Sequence, residues 1–301
     1  EFSFPAGLTL STDDANTLSF AGLWPLIGRP FYGNIGYDVL KDLVVQFDYE
    51  RKIVTFSSPA AARRSGDGQV FNTTLEMNYD PQFAGAFTVS GLAPVPTRFT
   101  VDTGAGGTII NAPLTKANHL MENVRDKLPS PSHGIGEGES NDLVARIAGI
   151  SLGRYELQRP LVALSQDTEG SLAMASIGVN LGGNLLRRFT VTIDYPGRTL
   201  TLEPNSHFAD PFPADASGLI LKAEGDDFKT FIVSALVPDS PATAAGLQQG
   251  DVITAIDGRP ADKYVLWELQ ELFKNSGHIV TLGVRRGSRS FTCRISLRSL
   301  V

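Results

Sequence analysis

The residues best suited to chemistry lie in "FTVDTGAGGTII", residues 99–110. Asp102 ends an apolar alternating run and precedes Thr103, Gly104 and Ala105; a second apolar run, Thr108-Ile109-Ile110, comes next. A carboxylate at the end of a strand that reads as buried fits one half of a carboxylate pair. Of two aspartates about 3 Å apart only one ionises. The ionised one takes a proton from water while the protonated one donates to a substrate carbonyl. A plain flexible loop is one reading of the glycines in a second stretch, "GIGEGES" (134–140). They suit a nucleotide-binding turn poorly, because no helix opens directly after them. Asp48 and Asp194 are read as structural, since each sits in a hairpin turn where aspartate caps its own backbone. The histidines at 119, 133, 207 and 278 lack the spacing of a metal site.

The elements that must position Asp102 are organised by an internal repeat. "NIGYDVLKDLVVQFDYERKIVTF" (34–56) aligns without gaps on "NLGGNLLRRFTVTIDYPGRTLTL" (180–202), at a constant spacing of 146 residues. Asn34, Gly36, Leu40, Val45, Asp48, Tyr49 and Thr55 recur as Asn180, Gly182, Leu186, Val191, Asp194, Tyr195 and Thr201. The unit reads as a short strand ending in Ile-Gly or Leu-Gly, a turn of helix, then a hairpin. Residues 70–204 are β-rich throughout, with 112–128 as the best local helix: Pro113 suits a first turn, and Leu120, Val124 and Leu128 form one stripe. Residues 58–69 and 205–216 read as linkers, the second stiffened by prolines.

Of the 301 residues 42% are apolar and 19% charged, the composition of an ordinary globular protein with room for two or three compact units. A net charge of −6 argues against a nucleic-acid partner. Cys293 is the one cysteine, so no intrachain disulfide forms. No apolar run reaches bilayer length, and the opening "EFSFPAGLTLS" lacks the basic and apolar regions of a signal peptide.

The Asp-Thr-Gly loop, with apolar strands on both sides and the Asn180-Leu181-Gly182 step in the repeat, resembles pepsin-like and retroviral-type aspartic proteases. The resemblance implies a mainly β fold of acid-protease lobes. The first lobe is represented only by its C-terminal half, 1–57, and the second, 70–204, is complete. It implies hydrolysis of peptide bonds in polypeptide substrates, with Asp102, Thr103 and Gly104 as the catalytic loop, the threonine hydroxyl bracing it from behind, and neither a metal nor an organic cofactor. "GIGEGES" (134–140) looks like the flap that closes over substrate, with Ile135, Gly136, Glu137 and Gly138 gripping the peptide. The chain holds one Asp-Thr-Gly, and the repeat mate of Asp102 falls upstream of residue 1. The expectation is a longer precursor whose upstream part carries a second Asp-Thr-Gly or Asp-Ser-Gly, or a second chain that completes the dyad. A binding protein that retains the fold without cleaving is the alternative.

"LVPDSPATAAGLQQGDVITAIDGRPA" (236–261) resembles the signature of bacterial PDZ domains and sets the third unit at 217–301. Ser240-Pro241 starts a short helix, Gly246 ends it, and Asp257-Gly258 makes a tight hairpin turn. Residues 263–277 form an amphipathic helix with Val265, Leu266, Leu269, Leu272 and Phe273 on its apolar face. The resemblance implies an α+β domain that binds a peptide C-terminus or an internal strand in the groove between a strand and that helix. Gly218, Leu219 and Ile220 of "SGLIL" are placed to receive a terminal carboxylate. The other reading of the groove is occupancy by the chain itself. Such an architecture suggests an exported bacterial protein of the periplasm or cell envelope.

Overall fold

The structure, a computed structural model, describes residues 2–3, 9–10, 19–62, 66–77, 79–129, 132–133, 139–140 and 142–301. It divides into two compact units, one of residues 1–17, 34–132 and 140–212, the other of 18–33, 133–139 and 213–301.

In the first unit the two repeats meet. Their hairpins, Val44–Asp48 with Ile53–Ser57 and Phe189–Asp194 with Thr199–Pro204, join in one five-stranded sheet that Gln69–Asn72 extends beyond Thr199–Pro204. Val44–Asp48 runs antiparallel to Phe189–Asp194, with Val45 opposite Ile193, Gln46 opposite Thr192 and Phe47 opposite Val191. Gln46 and Thr192 are repeat mates, 146 residues apart, and Gln46 Nε2 donates to Thr192 Oγ1 at 3.2 Å. A local twofold axis therefore passes between them, and each hairpin presents the same apolar face to the other. Asp48 Oδ1 accepts the Arg51 amide at 2.9 Å and Asp194 Oδ1 the Gly197 amide at 2.7 Å, the turn-capping role read for both. The symmetry then stops. Val179–Leu181 is a strand, but its repeat mate, residues 33–35, is not. Ile53–Ser57 has no strand on its outer edge among the described residues, and Ile53 and Val54 are 52% and 47% exposed.

A second sheet of ten strands holds the Asp102 loop. Its centre is Ile109–Ile110, Val179–Leu181, Val95–Val101 and Asp80–Thr88, in that order. Phe71, Phe83 and Phe99 stack in series beneath it, with centroids 4.8 and 5.8 Å apart. Gly85 is required there, because a Cβ at 85 would stand 2.7 Å from the Phe99 ring. The helix expected over 112–128 is shorter and broken. Asn111 caps Ala112–Ala117, His119 turns left-handed at φ 49°, and Leu120–Asn123 follows before the strand Lys127–Pro129. Asn118 stops the first turn, its side-chain amide donating to Leu114 O at 2.9 Å. Leu120 and Val124 are buried as the stripe required.

The stretch 205–212 is held by one buried side chain more than by its prolines. The Arg188 guanidinium, 1% exposed, donates to His207 O at 3.0 Å, Phe208 O at 3.1 Å, Asp210 O at 2.5 Å and Pro211 O at 2.9 Å, and lies 3.6 Å over the Phe212 ring. One cation thus satisfies four carbonyls that have no strand partner.

The sheet of the second unit runs Leu219–Glu224, Thr230–Leu236, Val252–Ile256, Ile279–Arg286, Arg289–Ser296. Pro241–Ala244 is closed by a capping box between Ser240 and Thr243, and Gly246 follows at φ 76°. Asp257 and Gly258 both have positive φ, 49° and 82°, as a two-residue hairpin turn of the primed type needs. The amphipathic helix is confined to Leu266–Leu272, with Leu266, Leu269 and Phe273 buried against Leu221, Phe231 and Ile256. Residues Ala261–Lys263 form a separate single turn. Asp251, wholly buried, is matched by Arg286 Nε at 2.6 Å, which holds its carboxyl below the usual carboxylate range.

Replacing the guanidinium takes a donor from four part-buried carbonyls at once, of which His207 O keeps the Asp210 amide. Arg188→Met is expected to cost about 3 kcal/mol of the unfolding free energy of the first unit, read by urea denaturation. A loss below about 1 kcal/mol would show that 205–212 is held by other contacts.

Candidate active site

Asp102 follows Val95–Val101 directly, and its position is set by a strand from the far end of the unit. Val179–Leu181 runs parallel to Val95–Val101 on one side and antiparallel to Ile109–Ile110 on the other. The Asp102 amide donates to Leu181 O at 3.1 Å, the Gly183 amide to Ala105 O at 2.8 Å and the Asn184 amide to Gly106 O at 3.0 Å. The loop is thereby laced to the main chain at both ends. Thr108 Oγ1, buried, donates to Asn184 Oδ1 at 2.7 Å and accepts the Gly182 amide at 3.1 Å. This hydroxyl braces the loop from within, while Thr103 and Gly104 are exposed. Gly182 passes so close that a Cβ there would fall on Gly107 O and within 3.0 Å of Ala105 O.

The carboxylate is held by three N–H donors. Oδ1 accepts the Gly104 amide at 2.9 Å and the Ala105 amide at 3.0 Å, and Oδ2 accepts Asn180 Nδ2 at 2.9 Å. Asn180 has this role because it is the middle residue of the crossing strand, level with Thr100. The sequence marked Asn180 as part of that strand, but no spacing rule connects a side chain at 180 with a carboxylate at 102.

Two further groups crowd the site, neither marked by the sequence. Gln82 and Thr100 face each other across neighbouring strands, with Gln82 Nε2 donating to Thr100 Oγ1 at 2.8 Å. Two residues before Gln82 and two after Thr100, the same face carries Asp80 and Asp102. Burial, the Asp102 charge and Glu76 together push the Asp80 carboxyl up to about 6. Tyr49, from the first hairpin, is pushed up to about 12 by burial and by Asp102. Its buried hydroxyl has no hydrogen-bond partner among the described residues. Its repeat mate Tyr195 reaches about 12 through burial, Asp80 and Tyr37, whose ring it meets edge-on at 5.7 Å. Each repeat thus contributes a protonated tyrosine beside one of the two carboxyls.

The expected flap residues Ile135, Gly136, Glu137 and Gly138 lie outside the described residues. The short strands on either side, Ser132–His133 and Glu139–Ser140, pair with each other, a hairpin ladder. In the second unit the Gly218 amide donates to Asp215 Oδ2 at 2.6 Å and the Ser217 amide to the same oxygen at 3.1 Å. The Leu219 amide donates to Ser217 Oγ at 3.0 Å, and Ile220 O accepts Ser234 Oγ at 2.9 Å.

Residues 232–286 match the family model of the PDZ domain. A search of curated proteins returned no match. Among solved structures, a retropepsin-like aspartic protease from Rickettsia conorii is 18% identical over 45% of this chain and 89% of its own, with a TM-score of 0.33. The retroviral protease-like domain of Ddi1 from Leishmania major is 19% identical over 42% and 96%, at 0.26. The HtrA3 PDZ domain bound to a phage-derived ligand is 26% identical over 27% and 81%, at 0.24. The fold is mainly β, and the stretch that matches the PDZ model lies within the second unit.

Two expectations follow. Gly182→Ala is expected to destabilise the first unit by about 2–3 kcal/mol in chemical denaturation, because only main-chain displacement relieves the contact. An Ala variant within 0.5 kcal/mol of the parent, by the same rough measure, would contradict it. Asp80 retains its proton in the folded chain up to about pH 6, whereas the unfolded chain releases it near the ordinary value of 3.8. Its contribution to stability is complete below the lower value and is lost as pH rises through the upper one. Asp80→Asn should therefore raise the melting temperature at pH 7 and leave it unchanged near pH 3.5. An equal shift at both pH values would refute the coupling.

Proposed function

We propose that the chain carries one half of an aspartic endopeptidase, hydrolysing peptide bonds with Asp102 as one of two paired carboxylates, alongside a PDZ unit that binds peptide. The carrying observation is the carboxylate itself. It ends a core strand, three N–H donors fix its oxygens, and the loop around it is laced to a crossing strand. A carboxylate so oriented can take a proton from water while a second, protonated carboxyl polarises the substrate carbonyl. The water then attacks the carbonyl carbon without a covalent enzyme intermediate, and its second proton reaches the leaving amine.

Asp80 is not that second carboxyl in this reading. It belongs to the same lobe, beside Asp102 on the adjoining strand, and not across the local twofold axis. The mate is expected from a loop related to residues 99–110 by the axis through Gln46 and Thr192. Two features support this. Residues 33–35, the repeat mate of the crossing strand, have no flanking strands among the described residues and are irregular. Among the described residues no strand covers the outer edge of Ile53–Ser57, where Gln69–Asn72 covers its counterpart. A homodimer of the retroviral kind is disfavoured, because Val44–Ser57 already fills the place a second copy would take against Phe189–Asp194. Domain limits at 1–57, 70–204 and 217–301 belong to the same reading, with Ile135–Gly138 as the flap over the substrate.

A peptide-binding protein without catalysis is the second reading, favoured by the single Asp-Thr-Gly among the 301 residues. Proteolysis of a denatured protein substrate separates the two. With the complementing lobe supplied, cleavage is expected, and Asp102→Asn is expected to lower its rate by about a thousandfold or more with unchanged thermal unfolding. Cleavage that survives Asp102→Asn would overturn the assignment. Absence of cleavage by the complemented parent would select the binder.

A further inference from the structure

The second unit contains a stretch that the sequence places far from it, residues 18–33. Within it Trp24–Ile27 forms one helical turn, closed by Gly28 at φ 75° with the Gly28 amide on Trp24 O at 2.7 Å. Trp24 Nε1 donates to Phe31 O at 2.9 Å, Phe20 and Phe31 lie 4.7 Å apart, and Trp24 meets Tyr32 edge-on at 5.7 Å. The segment thus folds back on itself as a small aromatic turn. Its helical turn packs against Leu219–Glu224, the end strand of the sheet, whose one strand neighbour among the described residues is Thr230–Leu236. Gly28 rests on Leu266, the first residue of the helix Leu266–Leu272; a Cβ at 28 would lie 2.6 Å from the Leu266 Cβ. The free edge of that strand and that helix are the two walls between which a PDZ domain accepts an added strand.

The end of the groove is occupied as well. The Ser217 and Gly218 amides, at the start of Leu219–Glu224, already donate to one carboxylate oxygen of Asp215, and Ser217 Oγ donates to the other at 2.8 Å.

We propose that this groove is self-occupied: residues 19–33 are its resident ligand, and the Asp215 carboxylate takes the Gly218 amide, with the Leu219 amide held by Ser217 Oγ, where a ligand's terminal carboxylate would stand. The external partner is then an internal, apolar and aromatic-bearing peptide segment that displaces 19–33, not a free C-terminus. The resident ligand is built to leave. None of residues 19–33 is buried, its helix has four residues and no side-chain N-cap bond, and no described main-chain hydrogen bond joins it to Leu219–Glu224. An incoming strand gains edge hydrogen bonds that the helical turn does not make.

This inference rests on the peptide-binding reading of the PDZ unit, and the test separates the two. A fluorescein-labelled peptide of residues 19–33, with its C-terminus amidated or free, is titrated by anisotropy against the full chain and against Gly28→Val. Valine at 28 meets Leu266 and is strained at positive φ, so it expels the segment. Gly28→Val is expected to bind the probe at least tenfold more tightly than the parent, and amidation is expected to change affinity less than twofold. Asp215→Ala in the Gly28→Val background should add a preference of fivefold or more for the free carboxylate. Equal affinity of parent and Gly28→Val would overturn self-occupancy while leaving peptide binding intact. A fivefold carboxylate preference with Asp215 in place would overturn its role. If neither probe, nor a peptide of scrambled sequence, binds a Gly28→Val chain whose circular dichroism and melting match the parent, the peptide-binding reading itself falls.

Discussion

The strand Val179–Leu181 passes between Val95–Val101 and Ile109–Ile110, and the glycine after it lies under the main chain of the Asp102 loop. This contact leaves no room for any side chain at 182. It brings the 183 and 184 amides within reach of the Ala105 and Gly106 carbonyls, and it carries Asn180 to the second oxygen of Asp102. The loop contains three glycines at 104, 106 and 107 and would otherwise be conformationally free. Main-chain bonds from a strand about eighty residues downstream remove that freedom and make the carboxylate a fixed group.

The first repeat shows what the same sequence pattern does without those neighbours. Residues 34–56 and 180–202 share their glycine, turn and apolar positions. Both form the helical turn and the hairpin, which need only local contacts and each other. The crossing strand forms only in the second copy, where two strands exist to receive it. The pairing of Gln46 with Thr192 makes the two hairpins a self-complementary interface inside one chain, buried through Val45, Val191 and Ile193.

The buried and half-buried charges are of three kinds. Asp251 is matched by Arg286 across the sheet, and Arg188 by four carbonyls and an aromatic face, so both serve packing. Asp215 is different, because its partners are main-chain amides at the start of an edge strand. Burial pushes its carboxyl up, and the same amides together with Lys274 pull it down. Asp80 and Asp102 form a third case, two carboxyls on one sheet face with one of them driven toward neutrality.

The elements that depend on local chemistry were legible in the amino-acid sequence. The repeat showed the hairpins and their capping aspartates, Asp-Thr-Gly between apolar runs marked the loop that follows a core strand, and Ser240-Pro241 to Gly258 marked the turns of the stretch that matches the PDZ model. Each rests on a backbone preference or an apolar period that a short window contains. Helix lengths were overestimated at 112–128 and 263–277, because an apolar stripe continues past the residues that stop the helix, Asn118 and His119 in the first case. What only the tertiary structure decided are the pairings between distant residues: Asn180 on Asp102, Asp80 beside Asp102, Tyr49 at the same carboxyl, Arg188 under 207–211, and residues 19–33 against Leu266. These depend on sheet order and on which strand edge is left open, and neither is written in the spacing of residues along the chain.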